Sequence, residues 1–187
     1  MPRLVYFAIA SVDGYTADTS GGFDWAAPDA EVHAFVNDLE RDVSTYLYGR
    51  RMYETMQVWQ TFGDDPDDEP EVVDFAGIWR NADKVVYSST LAEPVTPRTT
   101  IQREFDPDAV RALVADAPGD VGIGGPTIAA AALRAGLVDE VQLILVPVAV
   151  GGGTPAFPLD LMLALDLQEE RRFANGSVFL RYLVSRG

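Results

Sequence analysis

Apolar runs alternate with amphipathic segments along most of this chain. Residues 4–10 are almost wholly apolar, which is typical of a strand that is buried on both faces of a sheet. Residues 29–42 instead place Val32, Val36 and Leu39 at helical spacing, which predicts an amphipathic helix. Strands that alternate with helices in this way predict an α/β sheet. The other predicted helices are 51–59, 72–80 and 107–115, and the other predicted strands are 45–48, 84–88 and 99–103.

The last third of the chain ends in the pattern of an antiparallel hairpin. Two strand-like segments flank Asn175-Gly176, a dipeptide that strongly favours a two-residue turn. The apolar run 141–150 predicts a further buried strand and is too short to cross a bilayer. Residues 64–71 consist of Asp, Glu and Pro and predict a solvated loop. Neither a repeat nor a linker divides the sequence, so we expect residues 1–187 to form a single domain.

A short apolar strand, a pair of glycines and a helix follow one another directly in the second half of the chain. Gly124 and Gly125 end the strand, and Pro126 and Thr127 begin the helix, where proline is well suited to the first turn. Glycines before a helix leave its first backbone N–H groups open to an anion. The pattern predicts a site for a phosphorylated cofactor, and the alternative is a tight turn that binds nothing. The Gly-x-Gly-x-x-Gly and Walker A fingerprints are both absent.

Composition and charge narrow the classes of function. The formal net charge of −15 disfavours binding to nucleic acid or to an anionic membrane, because both require basic patches. The chain has no cysteine and one histidine, His33, which excludes disulfides, thiolate sites and multi-histidine metal sites. We therefore expect no metal, and an anionic ligand would need local arginines. No leader pattern is present at the N-terminus, so we expect a cytoplasmic protein.

Five segments of the chain, which are 10–18, 49–54, 88–91, 121–155 and 175–182, match one known family in the same order. The chain is similar to the reductase domain at the C-terminus of the bifunctional riboflavin-biosynthesis deaminase/reductase, which shares the dihydrofolate reductase fold. The resemblance covers nearly the whole chain and implies a three-layer α/β fold, with a mostly parallel central sheet and a C-terminal antiparallel hairpin. It also implies an NADPH-dependent oxidoreductase.

The resemblance implies a set of cofactor-binding residues at the ends of strands. The segment that begins at Gly49 matches the position that contacts the adenosine 2′-phosphate of NADPH, and Arg50 and Arg51 could hold a phosphate with paired hydrogen bonds. Ser88 and Ser89 could add hydroxyl contacts to the same phosphate, or they could simply end a strand. The remaining implied cofactor contacts are Ala10, Ser11, Gly14, Gly124, Gly125, Pro126, Thr127 and Gly152.

The substrate half of the implied site departs from the family. The family usually has a Lys in the first strand and a Glu before the Gly-Pro-Thr turn, where this chain has Phe7 and Gly124. The buried acid of dihydrofolate reductases aligns closest to Ala30, so Asp29 is our candidate proton donor, with helix capping as the alternative. Water could also deliver the proton. The residues that we expect to line the substrate pocket are Asp13, Trp25 and Tyr53.

Several reactions and one non-catalytic role remain open at this point. The resemblance implies hydride transfer to a C=N or C=O carbon of a small heterocyclic substrate, in the family the ribosylamino-pyrimidinone phosphate of riboflavin synthesis. Dihydrofolate or another pterin is the second possible substrate. A non-catalytic nucleotide-binding or interaction protein is the alternative of a different class. The family also implies a homodimer, with the apolar run 141–150 as a candidate interface.

Overall fold

A computed structural model describes residues 1–185, which contain ten β-strands and five α-helices. The strands are β1 (Leu4–Ser11), β2 (Tyr15–Ala17), β3 (Val43–Gly49), β4 (Asp83–Tyr87), β5 (Thr99–Gln102), β6 (Asp120–Gly124), β7 (Glu140–Val146), β8 (Thr154–Pro155), β9 (Leu165–Arg172) and β10 (Val178–Val184). The helices are α1 (Ala30–Glu40), α2 (Arg50–Met56), α3 (Pro70–Asn81), α4 (Pro107–Asp116) and α5 (Pro126–Arg134).

Eight of the strands form one sheet in the order β5-β4-β3-β6-β1-β7-β10-β9. The first six in this order run parallel to one another, and β10 and β9 run antiparallel at one edge. The turn between β9 and β10 is the predicted Asn175-Gly176 turn, where Gly176 has φ of 88°. The predicted mostly parallel sheet with a C-terminal hairpin is confirmed.

Helices cover both faces of the sheet and bury two apolar clusters. One cluster lies under α4 and α5 and includes Leu4, Ile123 and Leu133. The other lies under α1, α2 and α3 and includes Trp79 and Phe179, which are both fully buried. Apolar side chains on both faces of the central strands explain why their sequences are nearly continuous apolar runs. The molecule therefore has the three layers that the sequence predicts.

The structure corrects several predicted boundaries. The predicted helix 51–59 ends at Met56 and continues as a 3₁₀ turn (Gln57–Gln60). The predicted strand 141–150 ends at Val146, and β1 and β7 lie side by side in the sheet interior, with β10 on the other side of β7. The β7 part of the run has both edges paired and most side chains buried, so it offers little surface to a second copy, and a homodimer interface on 141–150 stays a prediction. No helix among residues 1–185 is long and apolar enough to span a membrane.

The edge strand β9 is irregular. Glu169 pairs with Arg181, whereas Leu167 pairs with Tyr182, the next residue of β10. Gln168 is therefore an extra residue in β9 without a partner in β10. A bulge of this kind bends a strand and disrupts the backbone pattern that a second edge strand would need. We therefore do not assign the predicted homodimer contact to this edge.

A buried carboxyl group lies where α1 ends against the sheet. Glu40 is 7% exposed, and its Oε2 atom finds no hydrogen-bond partner among the described residues. Burial raises its pKa to about 7, and the neighbouring Tyr46 hydroxyl lowers it in part. A cavity of about 170 Å³ adjoins Glu40 and is also lined by Gln142 and Arg181. This polar pocket lies at the amino-terminal half of the parallel strands.

Candidate functional site at the carboxyl ends of the parallel strands

The predicted cofactor residues come together at one edge of the sheet. β1, β3, β4 and β6 are parallel neighbours, so their carboxyl ends meet at the same edge. Ligands in open α/β sheets bind in the crevice outside such strand ends. The edge carries Ser11 at the end of β1, Gly49 at the end of β3, Ser88 after β4 and Gly124 at the end of β6.

The glycine turn between β6 and α5 fits closely against α2. Gly125 has φ of 94°, a conformation that side chains of L-residues rarely adopt. A Cβ on Gly125 would lie 3.0 Å from Met52 Cβ, and a Cβ on Gly124 would lie 2.8 Å from Tyr48 Cε1. Pro126 occupies the first turn of α5, as predicted, and Thr127 is exposed. The absence of a side chain at Gly125 therefore allows the backbone of this turn to pack directly on the first turn of α2, and its absence at Gly124 allows close contact with Tyr48 of β3.

The two arginines at the start of α2 differ in their partners. Arg50 donates from Nε to Glu54 Oε1 at 2.7 Å and from Nη1 to Thr90 Oγ1 at 2.7 Å. Arg51 is exposed, and its guanidinium makes no hydrogen bond or ion pair within residues 1–185. An arginine without an acidic partner keeps its charge available for an incoming anion. Arg51 is thus the better placed of the two for a phosphate group.

The turn that follows β4 is fixed by side chains on both sides. Ser88 is buried, and its Oγ accepts hydrogen bonds from the backbone N–H groups of Thr90 and Leu91 at 3.3 and 3.0 Å. Its hydroxyl proton remains available for donation, while Ser89 is exposed. Arg103, directly after β5, donates to the carbonyl oxygens of Ser88 and Leu91 at 3.0 and 2.6 Å. The sequence analysis missed Arg103, because its partners lie 12 to 15 residues away along the chain.

The loop after β1 is tied to the glycine-rich segment after β7. Asp13 accepts hydrogen bonds from the backbone N–H groups of Val150 at 3.2 Å and Gly151 at 2.8 Å. Hydrogen bonds from the Ser11 hydroxyl and Gly151 lower the pKa of Asp13, so this exposed carboxylate is an acceptor and not a proton donor near neutral pH. The short β2–β8 ribbon holds the same two segments together, and a Cβ on Gly153 would lie 2.0 Å from the Ala17 carbonyl oxygen.

The predicted nicotinamide contacts differ in exposure. Ala10 and Ser11 are 1% and 0% exposed, and the Ser11 Oγ accepts from the backbone N–H of Tyr15 at 3.0 Å. Gly14 has φ of 91°, and a Cβ added there would meet nothing within 4 Å. A Cβ added at Gly152 would lie 3.4 Å from Thr19 Cγ2. Ala10 and Ser11 therefore form the wall behind this part of the edge, whereas Gly14 and Gly152 lie in its loops.

One predicted pocket residue belongs to the core. Tyr53 is fully buried, and its hydroxyl lies 2.9 Å from Thr96 Oγ1 and accepts from the backbone N–H groups of Val95 and Thr96. Placing Tyr53 in a substrate pocket was wrong, because its ring has no free surface and its hydroxyl is already satisfied. Trp25 is half-buried, packs against the cluster under α1, and donates from its indole nitrogen to the Gly22 carbonyl at 3.2 Å.

The candidate proton donor caps a helix. Asp29 is exposed, and its Oδ1 accepts from the backbone N–H of Val32 at 3.0 Å, which is the N-cap contact of α1. One turn later, His33 packs against the rings of Trp59 and Phe75, with centroid distances of 5.7 and 5.9 Å. Burial lowers the pKa of His33, which favours the neutral ring. Asp29 therefore makes the capping contact that was the alternative to catalysis, and a catalytic role for Asp29 stays a prediction.

The distribution of positive charge also distinguishes this edge. Most arginines pair with an acidic side chain within 4 Å, which limits the attraction that they offer to other anions. Among residues 1–185, the arginines without a carboxylate partner are Arg51, Arg103 and Arg172. Arg51 and Arg103 lie near the ends of β3 and β5, whereas Arg172 ends β9, the strand farthest from β5 in the order of the sheet.

Comparison with protein families assigns most of the chain to one model. Residues 2–179 match the RibD C-terminal domain. A protein of Bacillus subtilis (strain 168), the uncharacterized protein YyaP, is 26% identical over 186 residues, which cover 96% of this chain and 94% of that protein.

Solved structures share the fold at low sequence identity. A Shewanella sp. PV-4 protein whose name refers to riboflavin biosynthesis has a TM-score of 0.75 and 22% identity, and the match covers 98% of this chain and 99% of that one. Acinetobacter baumannii RibD has a TM-score of 0.74 and 16% identity, over 99% of this chain and 58% of RibD. The deaminase/5-amino-6-(5-phosphoribosylamino)uracil reductase of Thermotoga maritima has a TM-score of 0.67 and 15% identity, over 98% of this chain and 57% of that enzyme. The chain thus spans just over half of the Acinetobacter and Thermotoga proteins.

Proposed function

Because the chain belongs to the RibD C-terminal domain family, we propose that it is an NADPH-dependent reductase of a small heterocyclic substrate. The substrate that we favour is a ribosylamino-pyrimidinone phosphate of the riboflavin type, since the Thermotoga relative carries that reductase name. The observation that carries the cofactor assignment is the unpaired guanidinium of Arg51, which starts α2 where that helix packs on the glycine turn.

The residues at the strand ends fit a dinucleotide. Gly124 and Gly125 leave the backbone of the β6–α5 turn without side chains, and the first N–H groups of α5 have no partner within the helix. Thr127 and the N-terminus of α5 would hold the pyrophosphate, because backbone N–H groups and the helix dipole both favour an anion there. The loop that contains Gly14 and the segment around Gly152 would flank the nicotinamide.

The adenosine end would lie beside α2 and the turn after β4. Arg51 would bind the 2′-phosphate with charge-assisted hydrogen bonds, and the Ser88 and Ser89 hydroxyls would donate to the same group. Arg50 would contribute its charge less fully, since Glu54 and Thr90 already accept two of its donors. A cofactor with a 2′-phosphate would therefore bind more tightly than one without it.

The chemistry at the substrate depends mainly on positioning. When bound, NADPH supplies a hydride to the acceptor carbon, and a proton must reach the adjacent nitrogen or oxygen. The chain's contribution is to hold the acceptor against the loop after β1 and to exclude competing reactions. Since Asp29 caps α1 and His33 is packed in its neutral form, we propose that the proton comes from water.

A fluorescence titration tests the cofactor assignment. We expect the protein to bind NADPH much more tightly than NADH. We expect Arg51→Ala to lower the affinity for NADPH by about 10- to 100-fold, because it removes hydrogen bonds to a charged group. Arg172→Ala is the matched control, since it removes an equally unpaired arginine from β9, which is five places from β3 in the order of the sheet. Equal effects of the two variants, or equal affinity for NADPH and NADH, would contradict the assignment.

The identity of the substrate is tested by following the consumption of NADPH through the absorbance of its reduced nicotinamide at about 340 nm. We expect turnover with the ribosylamino-pyrimidinone phosphate and little with dihydrofolate. The reverse order would move the substrate to the pterins. Tight NADPH binding without turnover on either would favour the non-catalytic nucleotide-binding alternative, which the capping role of Asp29 keeps open.

A further inference from the structure

Arg103 holds one turn of the chain through several backbone carbonyl groups. Its Nη1 donates to the carbonyl oxygens of Ser88 and Leu91, and its Nη2 lies 3.5 Å from that of Ala92. All three acceptors belong to the segment 88–92, which we call the serine turn. A planar guanidinium with donors in a fixed fork can engage several carbonyls at once, which an ammonium group cannot do in the same geometry.

The serine turn is also linked to the start of α2. Thr90 accepts from Arg50 Nη1, and the Ser88 Oγ accepts from two backbone N–H groups of the turn itself. Arg103 holds the carbonyl side of the turn, and Arg50 holds the side chain of Thr90. The hydroxyls of Ser88 and Ser89 are therefore presented from a turn whose backbone is fixed at several points.

The charge of Arg103 is not neutralised by an acidic partner. Among residues 1–185 its guanidinium contacts only carbonyl oxygens, although the chain has 29 acidic side chains. Carbonyl dipoles fix the group without cancelling its net charge. The carboxyl ends of the strands therefore combine the uncompensated charge of Arg103, directly after β5, with that of Arg51 on α2.

We propose that Arg103 is a positioning residue that sets the preference for a 2′-phosphorylated nucleotide. It orients the serine turn so that its hydroxyls face the phosphate, and it adds positive potential behind that turn. This inference rests on the proposed function, in which the same edge binds the adenosine end of NADPH.

The test measures 2′-phosphate preference directly. Calorimetric titrations with adenosine 2′,5′-bisphosphate and with AMP give the ratio of the two affinities for the wild-type protein, Arg103→Gln, Arg103→Lys and the distant control Arg172→Gln. We expect Arg103→Gln to lower the ratio by about tenfold or more, as removal of a charged hydrogen-bonding group predicts. Arg103→Lys keeps the charge without the fork, so we expect a partial recovery of the ratio. Arg172→Gln should leave it unchanged.

The outcomes separate this inference from the proposed function. An unchanged ratio in Arg103→Gln, or equal weakening of both ligands as a purely structural role predicts, overturns the role of Arg103 and leaves NADPH dependence standing. A wild-type protein without preference for the 2′-phosphate overturns both. The wild-type protein could also prefer the 2′-phosphate, with the preference lost in Arg103→Gln, and yet reduce neither a pyrimidine nor a pterin. That result would support the positioning role of Arg103 and overturn the reductase activity. Thermal unfolding of each variant shows whether it is folded. If Arg103→Gln fails to fold, the affinity ratio of Arg103→Lys decides whether Arg103 has this role.

Discussion

The buried carboxyl group of Glu40 makes a contribution to stability that we expect to be lost as the pH rises towards neutrality. Its pKa in the folded state, about 7, lies above the ordinary value of 4.5, because burial penalises the charged form. A group whose pKa is raised by folding stabilises the fold fully below the unfolded pKa, and that contribution is lost as the pH rises through the folded pKa. The window for Glu40 therefore runs from about pH 4.5 to about pH 7.

The size of the effect follows from the difference between the two pKa values. At about 1.4 kcal/mol per pKa unit, a change from 4.5 to about 7 corresponds to roughly 3 kcal/mol. Glu40→Gln removes the ionisation and keeps the shape of the side chain. At pH 8 we expect the variant to be more stable than the wild-type protein by up to about 3 kcal/mol, and below pH 4.5 the two should be nearly equal.

Urea unfolding measured across the range from about pH 4 to about pH 8.5 provides the assay, since stability follows proton binding in the two states. Trp79, which is fully buried, reports unfolding by fluorescence. The control is Glu104→Gln, which removes the same formal charge from an exposed position. If the difference between the Glu40→Gln and wild-type stabilities does not change with pH, Glu40 has the same pKa in the folded and unfolded states, and the reasoning from its burial is refuted.

Three further substitutions test the assignments of individual residues. Gly125→Ala should destabilise the fold by about 1–3 kcal/mol in thermal unfolding and weaken NADPH binding, because its positive φ is strained for alanine and its Cβ would crowd Met52; unchanged stability would contradict this. Tyr53→Phe should cost about 1–3 kcal/mol by leaving buried N–H groups unpaired, without changing the Kd for NADPH; a change in Kd without loss of stability would return Tyr53 to the pocket. Asp13→Ala should speed amide hydrogen exchange in residues 12–18 and around Gly151 at unchanged Tm, whereas unaltered exchange would show that the carboxylate does not tie the two loops.

Features that depend on local chemistry could be predicted from the sequence. The Asn175-Gly176 turn follows from the backbone conformations that these two residues adopt readily, and Pro126 begins α5 because its missing N–H is not needed there. Apolar runs identified the buried strands, since a strand covered on both faces needs apolar residues at every position. These signals are contained within a few neighbouring residues.

Features that depend on distant partners could not be predicted in the same way. Tyr53 lies in a helical pattern whose aromatic residues could face either a pocket or the core, and the choice depends on Val95 and Thr96, more than 40 residues later. Arg103 acquires its partners only when β5 pairs with β4. The position of β7 inside the sheet likewise depends on strand order, which the apolar pattern of one strand does not contain.

The pairing of most arginines with acids has a kinetic consequence. A highly negative molecule repels an anionic nucleotide at long range, and attraction from Arg51 and Arg103 acts only over the last few ångströms. Added salt shortens the range of that repulsion, with a screening length of about 8 Å at physiological ionic strength. Stopped-flow association with NADPH should therefore become faster as salt is raised from low concentration, the opposite of electrostatic steering, while dissociation from the arginine-lined edge also becomes faster.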